Sequence, residues 1–143
     1  MDSFVELTKE KLPQEGFIFD WELAVDANIV VGLLVDDEIV GIIAFQRITE
    51  HFYNLVALVE VREPKKGQGY GAKLLAMVMT DSFEQGFEGY IKLKTKTNGV
   101  QYFYSYLGAT LFGQLTIFNA KTSYKVINKY LPDGGLIEWN MSK

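Results

Sequence analysis

The sequence predicts an α/β (α+β) fold built on a mixed sheet, and three features carry that expectation. Two β-branched runs, Ile29–Val35 and Ile39–Phe45, flank an Asp36-Asp37 pair. Apolar residues at positions 74, 75, 78, 79 and 83 recur with helical spacing. Strand-like segments lie on either side of that helix, at 52–61 and 89–95. A strand, a crossover helix and a second strand in that order place the two strands parallel.

The first 26 residues show no clear period. Asp26-Ala27-Asn28 then precedes IVVGLLV, which reads as a strand, and Asp36-Asp37 turns the chain into the second run, making a hairpin. After Arg47–His51 comes FYNLVALVEV, whose charge-free stretch reads as a third strand buried on both faces. From Gly69 the period becomes helical for about four turns, and Gly86 stands where a C-terminal cap belongs. Gly89–Thr95 alternates Tyr90, Lys92 and Lys94 against Ile91, Leu93 and Thr95, as a strand does. Asn98–Tyr106 is short and aromatic and ends at Leu107-Gly108, the pattern of a brief helix. Thr110–Phe118 and Gly135–Met141 read as closing strands, with a helix between them at Lys121–Tyr130. No repeat, low-complexity tract or linker interrupts the chain, so residues 1–143 are expected to form one domain.

Composition narrows the chemistry. With 143 residues, 48% hydrophobic and 22% charged, the chain is long and apolar enough for one core. The absence of cysteine excludes a disulfide framework, a cysteine zinc site and a thiol nucleophile, and a single histidine argues against a transition-metal centre. The longest nearly unbroken apolar run, Ala27–Val35, is too short to span a bilayer, and the N-terminus is acidic where a signal peptide is basic. A soluble, cytoplasmic protein with no membrane partner is the expectation.

A net charge of −4 disfavours a nucleic-acid partner, whose phosphates need a basic face. The charge is also unevenly divided. Residues 1–40 hold ten acidic side chains against two lysines, whereas residues 41–143 hold twelve basic against eight acidic ones. One end suits cations and the remainder suits a small polyanion.

The segment richest in chemistry runs Val59-Glu60-Val61-Arg62-Glu63-Pro64-Lys65-Lys66-Gly67-Gln68-Gly69-Tyr70-Gly71-Ala72-Lys73-Leu74-Leu75. It joins a strand to a helix. Its three alternating glycines let successive backbone N–H groups converge on an anion at the helix N-terminus, which makes a phosphate cradle. The spacing is neither the G-x-G-x-x-G of a dinucleotide fold nor the G-x-x-x-x-G-K-[ST] of a P-loop. A plain glycine turn that only starts a helix is the competing reading.

With its flanking elements, this segment resembles the GNAT superfamily of acetyl-CoA-dependent N-acetyltransferases. Lys66-Gly67-Gln68-Gly69-Tyr70-Gly71 occupies that family's central motif, with Leu74-Leu75 on the following helix. Asn98, Phe103-Tyr104 and Leu107-Gly108-Ala109 approximate a second family element, and the likeness extends over residues 28–118. Three departures stand out. Lys66 replaces the commoner arginine or glutamine, Pro64 comes one residue late, and Asn98 stands one residue closer to Tyr104 than usual. The segment before residue 28 is also short, where the family places two helices that wall the acceptor site.

The resemblance implies a mixed, mostly antiparallel central sheet with a splayed parallel strand pair and flanking helices. It implies acetyl-CoA as co-substrate, held at its pyrophosphate by backbone amides of Lys66, Gly67, Gln68, Gly69, Tyr70, Gly71 and Ala72, with Val59 and Val61 along the pantetheine arm and Asn98 as a further cofactor-binding residue. Charge from Lys65, Lys66 and Lys73 would add to the phosphate site. Tyr104 would be the general acid for the departing thiolate, or else one of the aromatic cluster Tyr102, Phe103, Tyr104 and Tyr106. Glu60, the one charge in an otherwise apolar strand, would take the amine's proton, or else turn to solvent at the strand end. His51 is the alternative base, since imidazole ordinarily titrates near neutrality, although a surface loop suits it better.

The expected activity is direct transfer of an acetyl group to a primary amine, on a small molecule or peptide and cationic in keeping with the acidic N-terminal residues. A non-catalytic acyl-CoA-binding or regulatory module and a cofactor-free interaction domain are the rivals. The aromatic C-terminal third (Phe112, Phe118, Tyr124, Tyr130, Trp139) suits a homodimer contact as well as a core.

Overall fold

Asp36 and Asp37 both take positive φ, 51° and 65°, and so close a tight turn between β2 (Ile29–Val35) and β3 (Glu38–Ile48). The computed structural model describes residues 2–94, 100–133 and 137–138. Ahead of the hairpin lie β1 (Ser3–Glu6), a 3-10 turn at Lys9–Lys11 and α1 (Trp21–Ala27). After it come β4 (Tyr53–Val61), a 3-10 turn at Glu63–Lys65, α2 (Tyr70–Glu84), β5 (Ile91–Lys94), α3 (Val100–Tyr106), β6 (Thr110–Phe112), β7 (Leu115–Phe118), α4 (Ala120–Tyr130) and β8 (Ile137–Glu138). The eight strands form one sheet in the order β6-β7-β5-β4-β3-β2-β1-β8. The pairs are antiparallel except β4 with β5 and β1 with β8, so the mixed sheet and its parallel pair are as expected.

The central strands β2 and β3 are apolar without alternation because both faces of the sheet are covered. Val31, Leu33, Ile43 and Phe45 join a core with α2, while Val30, Ile42 and Ala44 join a second core with Trp21 and Ala24 of α1. Leu74, Leu75, Met77 and Met79 are fully buried on α2. Such side chains contribute roughly 1.5–3 kcal/mol each. Gly86 (φ 83°) ends α2 with two bonds, Gly86 N–H to the Phe83 carbonyl at 3.1 Å and Phe87 N–H to the Ser82 carbonyl at 2.8 Å. That confirms the cap read from the sequence.

Three expectations need correction, and one lies largely outside the described residues. Thr110–Phe118 is a hairpin of two strands rather than one, turned at Gly113 with φ 61°. The N-terminal residues, which show no period, hold a strand and a short helix. Only Ile137–Glu138 of the Gly135–Met141 strand, and none of residues 95–99, fall within the described residues. The third correction concerns β4, which is not buried on both faces. Asn54 and Val56 are buried, Ala57 is exposed and Leu58 to Val61 are half-buried.

Register explains β4. Its ladder with β3 runs Ala44↔Leu58 and then Phe45↔Val56, which leaves Ala57 as the extra residue of a β-bulge. Its ladder with β5 covers only Asn54, Leu55 and Val56. A bulge bends its strand and increases the local twist. Here the two parallel strands part where the bulge begins.

Below the parting the strands are pinned to α2. Asp81 is buried and accepts from Arg47 Nε at 3.0 Å, Arg47 Nη2 at 2.8 Å and Asn54 Nδ2 at 3.0 Å; Asn54 Nδ2 also reaches the Val78 carbonyl at 3.0 Å. The Asp81 hydrogen bond raises the Arg47 guanidinium above its ordinary pKa, more than burial lowers it. Asp81→Ala would take two acceptor contacts from a half-buried guanidinium and one from the buried Asn54 amide, so it is expected to destabilise the fold by about 2–4 kcal/mol in urea denaturation. Asp81→Asn, which keeps one acceptor oxygen, should cost less.

Candidate functional site

The 3-10 turn at Glu63–Lys65 directs the chain from β4 into α2 through two left-handed glycines, Gly67 (φ 84°) and Gly69 (φ 83°). Gly69 is the N-cap and offers no side chain to the first turn of α2. The amides of Gly67, Gln68 and Gly69 meet no backbone acceptor among the described residues, and the first-turn amides of a helix have none within it. A Cβ on Gly67 would have no atom within 4 Å, and one on Gly69 would meet only the Tyr130 ring at 3.7 Å. The N-terminus of α2 therefore opens onto free space, with donors and the positive end of the helix dipole directed there.

The basic residues around it are partly engaged. Lys66 pairs with Glu63 at 2.8 Å, both well exposed, and Lys73 pairs with Asp2. An incoming polyanion would compete with those carboxylates, so backbone donors are the larger fixed element of the cradle. Gly71 joins this end to the rest of the site, since its Cβ position lies 3.8 Å from Val61 Cγ2 and 3.7 Å from Phe103 Cζ. The Phe103 ring lies 5.5 Å from that of Tyr104.

Tyr104 lines a cavity of about 790 Å³ at the parting of β4 and β5. Val56, Ala57, Leu58 and Val59 form its β4 side, and Leu93 and Lys94 its β5 side. Phe19, Asp20, Leu23 and Ala24 close it from the α1 side. Among the described residues, the β4 edge facing β5 has no ladder partner beyond Val56. Val59 and Val61 lie on that stretch of β4, past the last β5 partner among the described residues. Tyr104 is 4% exposed and sits edge-on to Phe118 at 6.4 Å. Burial raises its phenol above the ordinary value.

Glu60 and His51 lie elsewhere. The Glu60 carboxylate accepts from Ile18 N–H at 2.6 Å, Phe19 N–H at 3.1 Å and Trp21 Nε1 at 2.9 Å, tying β4 to the entry of α1. His51 is exposed in the turn before β4 and lines a separate cavity with Phe52, Tyr53 and Lys92, at the opposite end of the strand. Asn98 lies outside the described residues. Sequence reasoning missed the α1 wall. Its only local signal was Asp20, whose side chain caps the helix by accepting from Leu23 N–H at 3.1 Å.

The sequence model of the Acetyltransferase (GNAT) family matches residues 1–109. The chain belongs to that family. Solved GNAT structures share its fold. An acetyltransferase of the GNAT family from Staphylococcus aureus Mu50 aligns with a TM-score of 0.55 and 22% identity, over 65% of this chain and 68% of that one. The IAA acetyltransferase of Bacillus cereus aligns at 0.63 and 16% identity, over 79% of each chain. A mutant of the toxin AtaT, solved with the C-terminus of the antitoxin AtaR and acetyl-CoA, aligns at 0.64 and 15%, over 88% and 98%. Among curated protein sequences none matches this chain significantly. Family membership makes the chain an acyltransferase whose donor is acetyl-CoA, and the donor-lined glycine loop, open strand edge and adjoining cavity fit that ligand. Among the described residues no helix is long and apolar enough to cross a membrane.

Gly69→Asp would force a side chain into left-handed backbone, a strain of about 1–2 kcal/mol, and place a negative charge at the cradle. Acetyl-CoA affinity is expected to fall at least about 100-fold by isothermal titration, while the circular dichroism spectrum persists.

Proposed function

We propose that this GNAT domain moves the acetyl group of acetyl-CoA directly to a primary amine, with Tyr104 as the acid and a cationic small molecule or peptide as the acceptor. The observation that carries the reading is the cavity at the strand parting, which has a buried phenol on one side and two carboxylates, Asp20 and Asp26, on another. The glycine loop and the open β4 edge would hold the donor with its thioester toward that cavity. Backbone amides from Lys66 to Ala72 would take the phosphates, and Val59 and Val61 the pantetheine arm.

Transfer needs an uncharged amine, which attacks the thioester carbonyl carbon as the carbon–sulfur bond breaks. The acetyl group passes to nitrogen, nitrogen loses a proton to water in the cavity, and Tyr104 gives its proton to the leaving sulfur. A raised phenol pKa keeps Tyr104 protonated through the neutral range, the state an acid requires. Asp26 pairs with Lys9 at 2.8 Å on an exposed surface, and a cationic acceptor would exchange for that lysine at small cost. The excess of acidic residues among the first forty draws such acceptors in. A binding module with no catalysis would have no use for a phenol at the parting of the strands, and this favours the enzyme over that rival.

Titration of acetyl-CoA, CoA and NADH into the protein should show micromolar binding of the first two and silence for NADH. Thiol release should then follow addition of spermidine, tyramine or a lysine peptide. Binding without turnover across the amines would favour the non-catalytic module. Tyr104→Phe is expected to lower kcat about 100-fold or more with little change in acetyl-CoA affinity; equal losses in both would assign Tyr104 to packing. The acceptor KM should rise with added salt, and a KM indifferent to salt would remove the steering argument.

The same residue gives a pH dependence of stability. The unfolded chain loses the Tyr104 proton near the ordinary value of about 10 and the native chain only above it. The unfolded state therefore binds fewer protons in that window, and stability falls as pH rises through it. Urea unfolding at pH 9 and pH 11 should show this loss, reduced in Tyr104→Phe.

A further inference from the structure

We propose that Glu60 is a positioning residue that fixes the α1 wall of the acceptor cavity. The inference rests on the reading of that cavity as the acceptor site. Ile18 N–H donates to Oε2 at 2.6 Å, and Phe19 N–H and Trp21 Nε1 donate to Oε1 at 3.1 and 2.9 Å. All three donors come from four consecutive residues, 39 to 42 positions away in sequence. Bonds from N–H groups to an ionised carboxylate are among the stronger hydrogen bonds available to a protein.

Trp21 and Ala24 anchor the helix in the smaller core with Phe17 packed against it, but residues 18–20, between Phe17 and Trp21, are exposed. Ile18 is 85% exposed and Phe19 46%, so their own burial does not fix this backbone. Of the three donor residues only Trp21 is buried, at 5%, and its indole N–H is the donor. Seven residues of helix are too few to be stable in isolation. Yet Phe19, Asp20, Leu23 and Ala24, immediately around and after these donors, form the cavity's outer wall. The carboxylate on β4 thus sets the position of four lining residues without lining the cavity itself. Three of the roughly four acceptor sites of the Glu60 carboxylate are taken by N–H groups of its own chain, which orients it toward α1.

The test uses Glu60→Ala, Glu60→Gln and Trp21→Phe in the full chain, with spermidine and tyramine as acceptor probes. Glu60→Gln keeps size and one acceptor oxygen and so preserves the fold if Glu60→Ala does not, while Trp21→Phe keeps an aromatic ring but removes the indole donor together with the volume of the pyrrole ring. In Glu60→Ala the acceptor KM should rise about tenfold or more, with kcat at saturation within about threefold and acetyl-CoA affinity within about twofold. Glu60→Gln should recover part of the loss, and Trp21→Phe should show a smaller rise. Two readouts need no turnover. Amide exchange at Ile18 and Phe19 should speed up about tenfold or more in Glu60→Ala, and the Trp21 indole N–H resonance should move upfield.

A kcat collapse with loss of the acidic limb of the kcat/KM profile in Glu60→Gln would make Glu60 the base and overturn the proposal. So would unchanged exchange and an unmoved indole resonance. Leu23→Arg, on the wall and outside the Glu60 contacts, separates the two readings. An acceptor KM that changes there but not in Glu60→Ala removes the positioning role alone. An acceptor KM unchanged in both removes the cavity as the acceptor site, and the proposal with it.

Discussion

The site depends on one unpaired residue. Ala57 has no partner on β3, because the ladder passes from Leu58 to Val56, and the pairing of β4 with β5 stops at Val56. A continuous parallel ladder would have consumed the donors and acceptors along β4 and filled the space between the strands. With the bulge in place, β4 follows β3 as far as Val61↔Gly41 while β5 follows β7 as far as Lys94↔Leu115. The strands diverge because each keeps its other neighbour. The cavity, the open edge at Val59 and Val61 and the position of Tyr104 all follow from that divergence.

The divergence needs a fixed base. The Arg47, Asp81 and Asn54 network supplies it, locking the C-terminal half of α2 to β3 and β4 where the strands are still paired. The N-terminal turn of α2 lies at the other end, beside Val61 and Phe103. Packed apolar residues and a satisfied buried polar cluster thus hold one end of the helix. The other end presents unpaired amides to a ligand. In the proposed reading a charge-dense donor would meet main-chain groups whose geometry the buried end already determines, leaving little ordering to be done on binding.

What the sequence disclosed follows the range of the interactions involved. The β2–β3 hairpin, α2 and its glycine cap and the glycine loop were legible because each is decided by residues a few positions apart: Asp36-Asp37, Leu74 to Phe83, Gly67 to Gly71. Gly113 was as local a signal and was passed over, which merged β6 and β7 into one strand. The bulge at Ala57 was not legible, since nothing in LVALVEV marks the unpaired residue. The N-terminal wall was hidden for a different reason. It is held by main-chain amides bonding a carboxylate about forty residues away, and main-chain amides leave no trace in a sequence. The same fact leaves the role of Glu60 open in the sequence, because a lone carboxylate in an apolar strand signals a special role without showing which.

The two halves of the site are therefore built by different means. The donor half lies on α2 and β4, within the larger core formed by Leu74, Leu75, Met77 and their neighbours. The acceptor half rests on the smaller core of Trp21, Ala24, Val30, Ile42 and Ala44 on the opposite face of the sheet, with Asp20 capping α1. Ile42 and Ala44 alternate with Ile43 and Phe45 along β3, so the two cores meet only through the strands themselves. Side chains on α1 that face solvent, such as Leu23 at 68% exposure, contact neither core. Substitutions there can reshape the acceptor wall while leaving the packing beneath the glycine loop intact. A fold divided in this way keeps one donor while its acceptor side is free to vary.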